Sequence, residues 1–240
     1  MSVISSLPSG LLAQPASNLI SLEFPPANER GAPESTTGGG TRSSSCVTSD
    51  IETEEISLTP LMPTRQNIGQ TATTNPALYW YVPQNTAELG EFLVKDNLGN
   101  EVYSANFKLP ATAGIIKLGI PQNAALKTDR DYFWTLSLVC NSQDRQQNYS
   151  VEGVIQPTEI DLSLRLQLEG KKPLEQAKIY AQQRLWHDAL NIVAQLSTDH
   201  PEEWEELLES INLGKIAKKP ILECCTVENL SVSYLSESLN

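Results

Sequence analysis

The stretch Asp131-Tyr-Phe-Trp-Thr-Leu-Ser-Leu-Val-Cys140 is the clearest strand pattern in the sequence and carries its heaviest apolar load. In extended backbone, successive side chains point to opposite faces, so every second residue shares a face. One face therefore holds Tyr132, Trp134, two leucines and Cys140, and it is almost wholly apolar. We expect this stretch to be a central strand of a β-sandwich, with Trp134 in the core.

Further strand patterns recur at short spacing on both sides of this stretch, as is typical of an all-β sandwich or barrel. They comprise Ile56 to Leu58, Leu78 to Val82, Glu91 to Lys95, Glu101 to Leu109, Ile115 to Ile120 and Tyr149 to Ile155. The turn residues 96–100 predict a hairpin between the third and fourth of these segments. Leu126 and Tyr132 have the spacing of a tyrosine corner, in which the tyrosine hydroxyl bonds back to nearby backbone. About seven strands and this motif predict an immunoglobulin-like antiparallel β-sandwich.

The short aromatic strand at 78–82 is bracketed by two prolines, which cannot extend a ladder of hydrogen bonds. Its tryptophan, Trp80, is expected in the core. Tyr79 and Tyr81 then lie on the opposite face, because side chains alternate along a strand. We expect this face to be half-exposed and to offer an aromatic contact surface.

The composition changes after Pro157, where Leu, Gln, Glu, Lys and Ala become frequent and turn residues become sparse. We predict a small all-α module over residues 158–220, although the leucines of its first segment also alternate as in a strand. Farther along, small and aromatic residues occur at Ala177, Tyr180, Trp186, Ala189, Leu190, Val193, Leu196 and Pro201. In this pattern, residues 173–201 resemble a single tetratricopeptide repeat, in which Trp186 has a structural role at the crossing of two helices. One repeat cannot bury its apolar face alone, so we expect it to pack on a following helix.

Two domains are therefore expected, a sandwich over residues 51–157 and the helical module over residues 158–220, which together give an α+β fold. Residues 1–50 are rich in Ser, Thr, Gly and Pro, and we predict a flexible N-terminal arm. Within it, residues 7–16 resemble the end of a signal peptide, yet no Lys or Arg precedes Arg30. A remnant signal segment and a plain tail both stay open. Residues 221–240 are predicted to form a C-terminal tail.

The formal net charge of −12 and the pI of about 4.6 exclude the basic field that nucleic acids and anionic membranes require. No apolar run approaches the roughly 18 residues of a membrane span. The glycine-rich stretch 30–46 lacks the Gly-Lys-Ser/Thr sequence and the preceding strand of a phosphate-binding loop. His187 and His200 are the only histidines, and neither has a partner at metal-ligand spacing. We therefore predict no metal and no cofactor.

The four cysteines, at positions 46, 140, 224 and 225, have neither a zinc-site nor a redox CxxC spacing. Of three pairings we prefer Cys46–Cys140, because Cys46 precedes the first strand and Cys140 ends the central one. A bridge between the adjacent Cys224 and Cys225 is geometrically demanding, so we expect one of them to pair elsewhere or to stay free. Four reduced thiols in a cytosolic protein are the alternative.

Five separated motifs occur in one order along the chain. They are Gly38-Gly-Gly-Thr-Arg42 with Cys46, Pro76-Ala-Leu-Tyr-Trp-Tyr-Val-Pro83, Tyr132 to Cys140, Val151-Glu-Gly153 and Leu185-Trp-His-Asp-Ala-Leu190. Together they resemble the cyanobacterial domain of unknown function 928 family over about residues 30–225. The resemblance implies export from the cytoplasm and implies no established activity.

The sequence as a whole predicts an exported, non-enzymatic binding or scaffold protein in the periplasm or at the cell surface. It would engage an unidentified protein partner through the sandwich or the helical module, an inference from fold analogy. One alternative is an envelope or carbohydrate-binding protein that uses Tyr79 and Tyr81. Another is a hydrolase of unassigned class, although the G-x-S-x-G elbow of esterases is absent and His187-Asp188 is expected on a solvated helix face.

Overall fold

The computed structural model describes residues 22–26, 46–47, 56–63, 66–225 and 227–228. Strands fill the first part of the main segment and helices the last part, so the predicted α+β class is confirmed. Most of the predicted N-terminal arm, including its signal-like stretch, lies outside the described residues, as does most of the predicted C-terminal tail. No helix in the described part of the chain is long and apolar enough to cross a membrane.

Nine strands and five α-helices make up the described chain. The strands are β1 (Thr59–Pro60), β2 (Ile68–Thr71), β3 (Ala77–Val82), β4 (Leu89–Asp96), β5 (Glu101–Phe107), β6 (Gly114–Gly119), β7 (Tyr132–Val139), β8 (Tyr149–Pro157) and β9 (Val227–Glu228). The helices are α1 (Leu162–Leu168), α2 (Pro173–Gln182), α3 (Trp186–Leu196), α4 (Pro201–Glu209) and α5 (Gly214–Ala217). Two 3₁₀ turns occupy Gln122–Ala124 and Arg145–Gln147.

The strands form two sheets that face each other through aromatic rings. One sheet has the order β1-β3-β6, and the other has the order β2-β8-β7-β4-β5-β9. Between them, the ring of Trp80 lies edge-on to Trp134 at 5.5 Å and to Phe92 at 5.3 Å. Such T-shaped pairs are the arrangement that ring quadrupoles favour. The core therefore lies where the sequence places Trp80 and Trp134.

The strand β7 occupies the middle of the larger sheet, antiparallel to β4 on one side and to β8 on the other. Its residues Tyr132, Trp134, Leu136 and Leu138 are buried, whereas Phe133 on the other face is exposed. At its start, the Tyr132 hydroxyl accepts a hydrogen bond of 2.9 Å from the backbone amide of Lys127. This bond fixes the loop that leads into the central strand.

One strand, β2, was not expected from the sequence, and it pairs parallel to β8 rather than antiparallel. It sits on the edge of the larger sheet, where the backbone of Asn67 crosses over Gly153. A Cβ atom on Gly153 would lie 2.4 Å from the Asn67 carbonyl oxygen, so only glycine permits this approach. The sheet therefore departs from the purely antiparallel pattern that we predicted.

The helices and the sandwich share one continuous core instead of burying two separate ones. The indole Nε1 of Trp186, on α3, donates a buried hydrogen bond of 2.8 Å to the carbonyl oxygen of Leu61. Helix α3 also contacts strands β2 and β3 directly. A smaller cluster, formed by Leu164, Leu168 and Leu185, holds α1 against the rest. The sequence change after Pro157 thus marks a change of secondary structure within one packed unit.

The segment 220–228, which we call the C-terminal strap, contacts an edge of each sheet. Its first part pairs with β6. The Ile115 amide donates to the Pro220 carbonyl oxygen at 2.7 Å, and the Leu222 amide donates to the Ile115 carbonyl oxygen at 2.8 Å. Its last part is β9, which lies antiparallel to the end of β5. The strap therefore joins the outer edge of the smaller sheet to the outer edge of the larger one.

Candidate functional site

Two disulfides are present in the described chain. Cys46 is bonded to Cys140, with a Cα–Cα distance of 5.2 Å, as the sequence predicts. The expectation for the other pair is wrong, because Cys224 and Cys225 are bonded to each other. Cys225 has a positive φ of 72°, so the backbone turns sharply at this pair, between the two halves of the C-terminal strap.

The predicted aromatic surface does not exist, because Tyr79 and Tyr81 are only 2% and 4% exposed. Strand β3 has the sandwich core on one face and helix α3 on the other, so both faces are covered. The Tyr79 hydroxyl donates a hydrogen bond of 2.9 Å to Oδ1 of Asn191 on α3. Burial raises the pKa of Tyr79 well above its usual value. These tyrosines are structural residues at the sheet–helix junction.

The first candidate site is a groove on the helices that holds part of the predicted flexible arm. Residues Leu22 to Pro26, within the predicted arm, are described and are docked on the helices. Leu22 and Phe24 are buried while Glu23 between them is exposed, which is the alternation of extended backbone. The Leu22 amide donates to the carboxylate of Glu206 at 2.9 Å, and the Phe24 amide donates to Oγ of Ser210 at 3.0 Å.

Side chains from three helical elements complete this groove. The ring of Phe24 lies edge-on to Trp186 at 5.0 Å. Arg184, in the turn between α2 and α3, donates from its guanidinium to the carbonyl oxygens of Pro25 and Pro26 at 3.4 and 3.2 Å. We call the surface formed by Arg184, Trp186, Glu206 and Ser210 the arm groove.

The local sequence explains why the arm groove has this shape. Glu206 and Ser210 are four residues apart, so they share one face of the helical turn at the end of α4. The Ser210 hydroxyl gives its proton to the Leu207 carbonyl oxygen at 2.7 Å, which leaves its oxygen free to accept from Phe24. Arg184 adopts a left-handed φ of 62°, which ends α2 and turns the chain into α3. The sequence reasoning missed this site, although Leu22 and Phe24 are the kind of alternating apolar pair that could have marked it.

The second candidate site is a cleft of about 440 Å³ between the sandwich and the helices, which we call the interface cleft. Asn75 and Lys117 line it from the strand side, and Gln176, Tyr180 and Asn191 line it from α2 and α3. His187 and Asp188 also reach it, although the sequence placed them on a solvated face.

His187 is 1% exposed and packs against the backbone of β2 and β3. A Cβ atom on Gly69 would lie 2.6 Å from its Nε2 atom, so the ring rests directly on that glycine. The backbone of Gly69 and Ala77 lies beside the ring nitrogens, but neither nitrogen makes a hydrogen bond of good geometry within the described residues. Burial lowers the pKa of His187 to about 4, so the imidazole is neutral at pH 7.

Asp188 ties helix α3 to the end of strand β2. Its carboxylate accepts from the Ala72 amide at 2.8 Å and from the side chain of Thr71. Burial raises its pKa to about 6, partly offset by these two hydrogen bonds. His187 and Asp188 thus contact different residues, and no hydrogen bond joins their side chains in the part of the chain that the structure describes. They brace the helix against the sheet instead of forming a proton-transfer pair.

Lys117 stands at the rim of the interface cleft with its Nζ atom 5.7 Å from the ring centre of Tyr79. Burial lowers the pKa of its ammonium group. Within residues 66–225, it forms no ion pair with a carboxylate. Nor do the described His, Cys, Asp and Glu residues include any group of three that could hold a metal ion.

The chain was compared with protein-family models and with curated proteins. No curated protein matches it. Residues 37–221 match the family model described as Domain of Unknown Function (DUF928). The matched region spans most of the chain and contains strands β1 to β8, helices α1 to α5 and the Cys46–Cys140 bridge. The chain therefore belongs to the DUF928 family.

Proposed function

We propose that this protein is an exported, non-enzymatic binding protein that holds an extended segment of a protein partner in the arm groove. The observation that carries the proposal is the docked segment from Leu22 to Pro26. It occupies the groove as a peptide ligand would, with alternate side chains buried and its backbone bonded to groove side chains.

The contacts of this segment indicate which peptides the arm groove would accept. Two backbone amides and two backbone carbonyl groups are bonded by side chains of the groove, and these bonds are available to any extended chain. Selectivity comes from the buried leucine and phenylalanine, each worth about 1.5–3 kcal/mol on full burial. The edge-on pair with Trp186 adds about 1 kcal/mol for an aromatic residue. A partner would therefore present an apolar residue, a spacer and an aromatic residue, followed by proline.

The arm of the same chain competes with such a partner. Because it belongs to the same chain, the arm meets the groove at an effective concentration on the order of millimolar. A partner segment in solution at micromolar concentration would therefore displace it only if it binds more tightly or is present in several copies. This competition predicts that weakening the arm exposes the groove.

Further observations support the architecture and the compartment in this proposal. The strand order β8-β7-β4-β5 facing β1-β3-β6 is the order of an immunoglobulin-like sandwich, and Tyr132 has the hydrogen bond of a tyrosine corner. The packing of α2 against α3 supports a tetratricopeptide-like interpretation of this segment. The Cys46–Cys140 bridge supports an oxidising compartment such as the periplasm or the cell surface.

The test uses a fluorescent peptide with the sequence of residues 18–28 and a Leu22→Ala/Phe24→Ala variant of the full chain. By fluorescence anisotropy, we expect the variant to bind the peptide at least about tenfold more tightly than the unchanged protein, because its own arm no longer competes. The control peptide carries serine in place of Leu22 and Phe24 and should not bind. Adding Arg184→Ala to the variant should weaken binding, since two carbonyl contacts are lost.

Thermal unfolding first establishes that the double variant is folded. A folded variant that binds the two peptides equally, or binds neither, would overturn the proposal. Equal binding by the variant and the unchanged protein would show that the arm does not occupy the site to which the peptide binds.

A further inference from the structure

The interface cleft is independent of the arm groove, and its polar groups have defined orientations. Oδ1 of Asn191 accepts from the Tyr79 hydroxyl at 2.9 Å and from Nε2 of Gln195 at 3.3 Å. Because Oδ1 accepts both bonds, the N–H groups of the Asn191 side-chain amide remain to donate, and Asn191 lines the cleft. The side chain therefore acts as a donor toward a ligand.

Asn75, on the strand side of the cleft, also has its side-chain oxygen engaged in a hydrogen bond. Its Oδ1 atom accepts from the hydroxyl of Thr73 at 3.1 Å. Its side-chain nitrogen, Nδ2, makes no hydrogen bond within the described residues, so it too is available as a donor. The cleft is thus lined by two side-chain donors, Asn75 on the strand side and Asn191 on α3.

Lys117 adds a positive charge to these donors. Its side chain is exposed, its Nζ atom lies 5.7 Å from the ring centre of Tyr79, and it has no carboxylate partner within the described residues 66–225. The carboxylate of Asp188 lines the cleft but is already bonded by the Ala72 amide and the Thr71 side chain. The cleft consequently presents a cation and oriented N–H groups, a set that is complementary to a carboxylate.

The size of the cavity indicates how much more than a carboxylate the ligand carries. A cleft of about 440 Å³ is within the range of small-molecule sites and far exceeds the needs of a single carboxylate group. Tyr180 supplies an aromatic wall, Ile120 and Ile192 supply apolar ones, and Gln176 supplies a further polar group. Mixed apolar and hydrogen-bonding walls suit a ring that bears hydroxyl groups.

We propose that the interface cleft binds a sugar acid, a uronic acid residue whose carboxylate meets Lys117 and Asn191, whose hydroxyl groups meet Asn75 and whose ring contacts Tyr180. Tyr79 and Tyr81 are buried and do not line this cleft. Both a free uronate and a terminal uronate of an acidic polysaccharide present this chemistry.

The experiment titrates the full-length protein, labelled with ¹⁵N, with sodium D-glucuronate and D-galacturonate and follows the amide spectra. We expect saturable shifts in the side-chain amide signals of Asn75 and Asn191. D-glucose, which lacks the carboxylate, should bind at least about tenfold more weakly, since a charge-assisted hydrogen bond is worth about 1.5–3 kcal/mol. Succinate carries carboxylates but no sugar ring, so tighter binding of a uronate than of succinate supports the ring contact.

Lys117→Met removes the charge while keeping the side-chain length, and it should weaken uronate binding about tenfold or more. Lys108→Met is the matched control, since Lys108 is also exposed but does not line the cleft, and it should leave binding unchanged. The proposal is overturned if neither uronate binds, if glucose or succinate binds as tightly as the uronates, or if Lys117→Met binds like the unchanged protein. Peptide binding in the arm groove should be unaffected by Lys117→Met, so the two proposals fail separately.

Discussion

At the scale of single residues, Gly69 and His187 show how closely the helices approach the sheet. The imidazole ring lies where a side chain of residue 69 would begin. His187 is fixed by burial, so it has little room to move away. A histidine that looks like a catalytic candidate in the sequence therefore serves as a packing residue at the sheet–helix junction.

We expect Gly69→Ala to destabilise the protein by about 1–3 kcal/mol, because the added methyl group would lie 2.6 Å from Nε2 of His187 and 2.8 Å from Cε of Met62. The measurement is the free energy of unfolding in urea. Gly119→Ala is the matched control, since a Cβ atom there meets no other atom within 4 Å. Equal stability of the two variants would contradict the packing described for His187.

At the scale of elements, helix α3 is held to strand β2 by two neighbouring groups with opposite responses to pH. The pKa of His187 is lowered from 6.5 to about 4, so acidification through this window favours the unfolded state, which binds the proton more readily. The pKa of Asp188 is raised from 3.8 to about 6, so its contribution to stability is present at low pH and is lost as pH rises through 6. The two effects largely cancel between pH 4 and pH 6.5.

Asp188→Asn should remove the stability that protonation of Asp188 adds at low pH, so that the loss caused by protonation of His187 is no longer offset. Between pH 7 and pH 4.5, we expect the variant to lose about 2 kcal/mol more of its free energy of unfolding than the unchanged protein loses. Urea unfolding at the two pH values measures the difference. Parallel pH profiles for the two proteins would show that Asp188 is not the compensating group.

Elements also show the limits of the sequence-based predictions. The strand β7 and the hairpin of β4 and β5 were predictable, because their apolar alternation and turn residues are local properties. β2 was not, since Ile68 to Thr71 becomes a strand only through the approach of Asn67 to Gly153. The arm groove depends on two hydrogen bonds, Leu22 to Glu206 and Phe24 to Ser210. These partners are separated by 184 and 186 positions in the sequence, and no local pattern encodes such pairs. The prediction that Tyr79 and Tyr81 on β3 are exposed was wrong, because the alternation of residues does not reveal that helix α3 covers the outer face.

At the scale of the whole molecule, the Cys46–Cys140 bridge closes a loop of 94 residues around most of the sandwich. In the chain-entropy model, such a loop stabilises the folded state by about 4.7 kcal/mol. We expect a Cys46→Ser/Cys140→Ser variant to lose an amount of this order in urea unfolding. Cys224→Ser/Cys225→Ser is the control: its bridge joins adjacent residues and restricts almost none of the unfolded chain, so the loss should be smaller. The reverse ranking would contradict the loop argument.

The C-terminal strap has a consequence for the order of events during biosynthesis. Until residues 220–228 pair with Ile115 and Phe107, β6 and β5 present unpaired backbone edges. These contacts span more than a hundred positions, and such non-local pairings form slowly. A ribosome must therefore synthesise the chain through Glu228 before both sheet edges can be covered. For the exported protein proposed above, this delay would keep the nascent chain incompletely folded while it passes through a translocation pore.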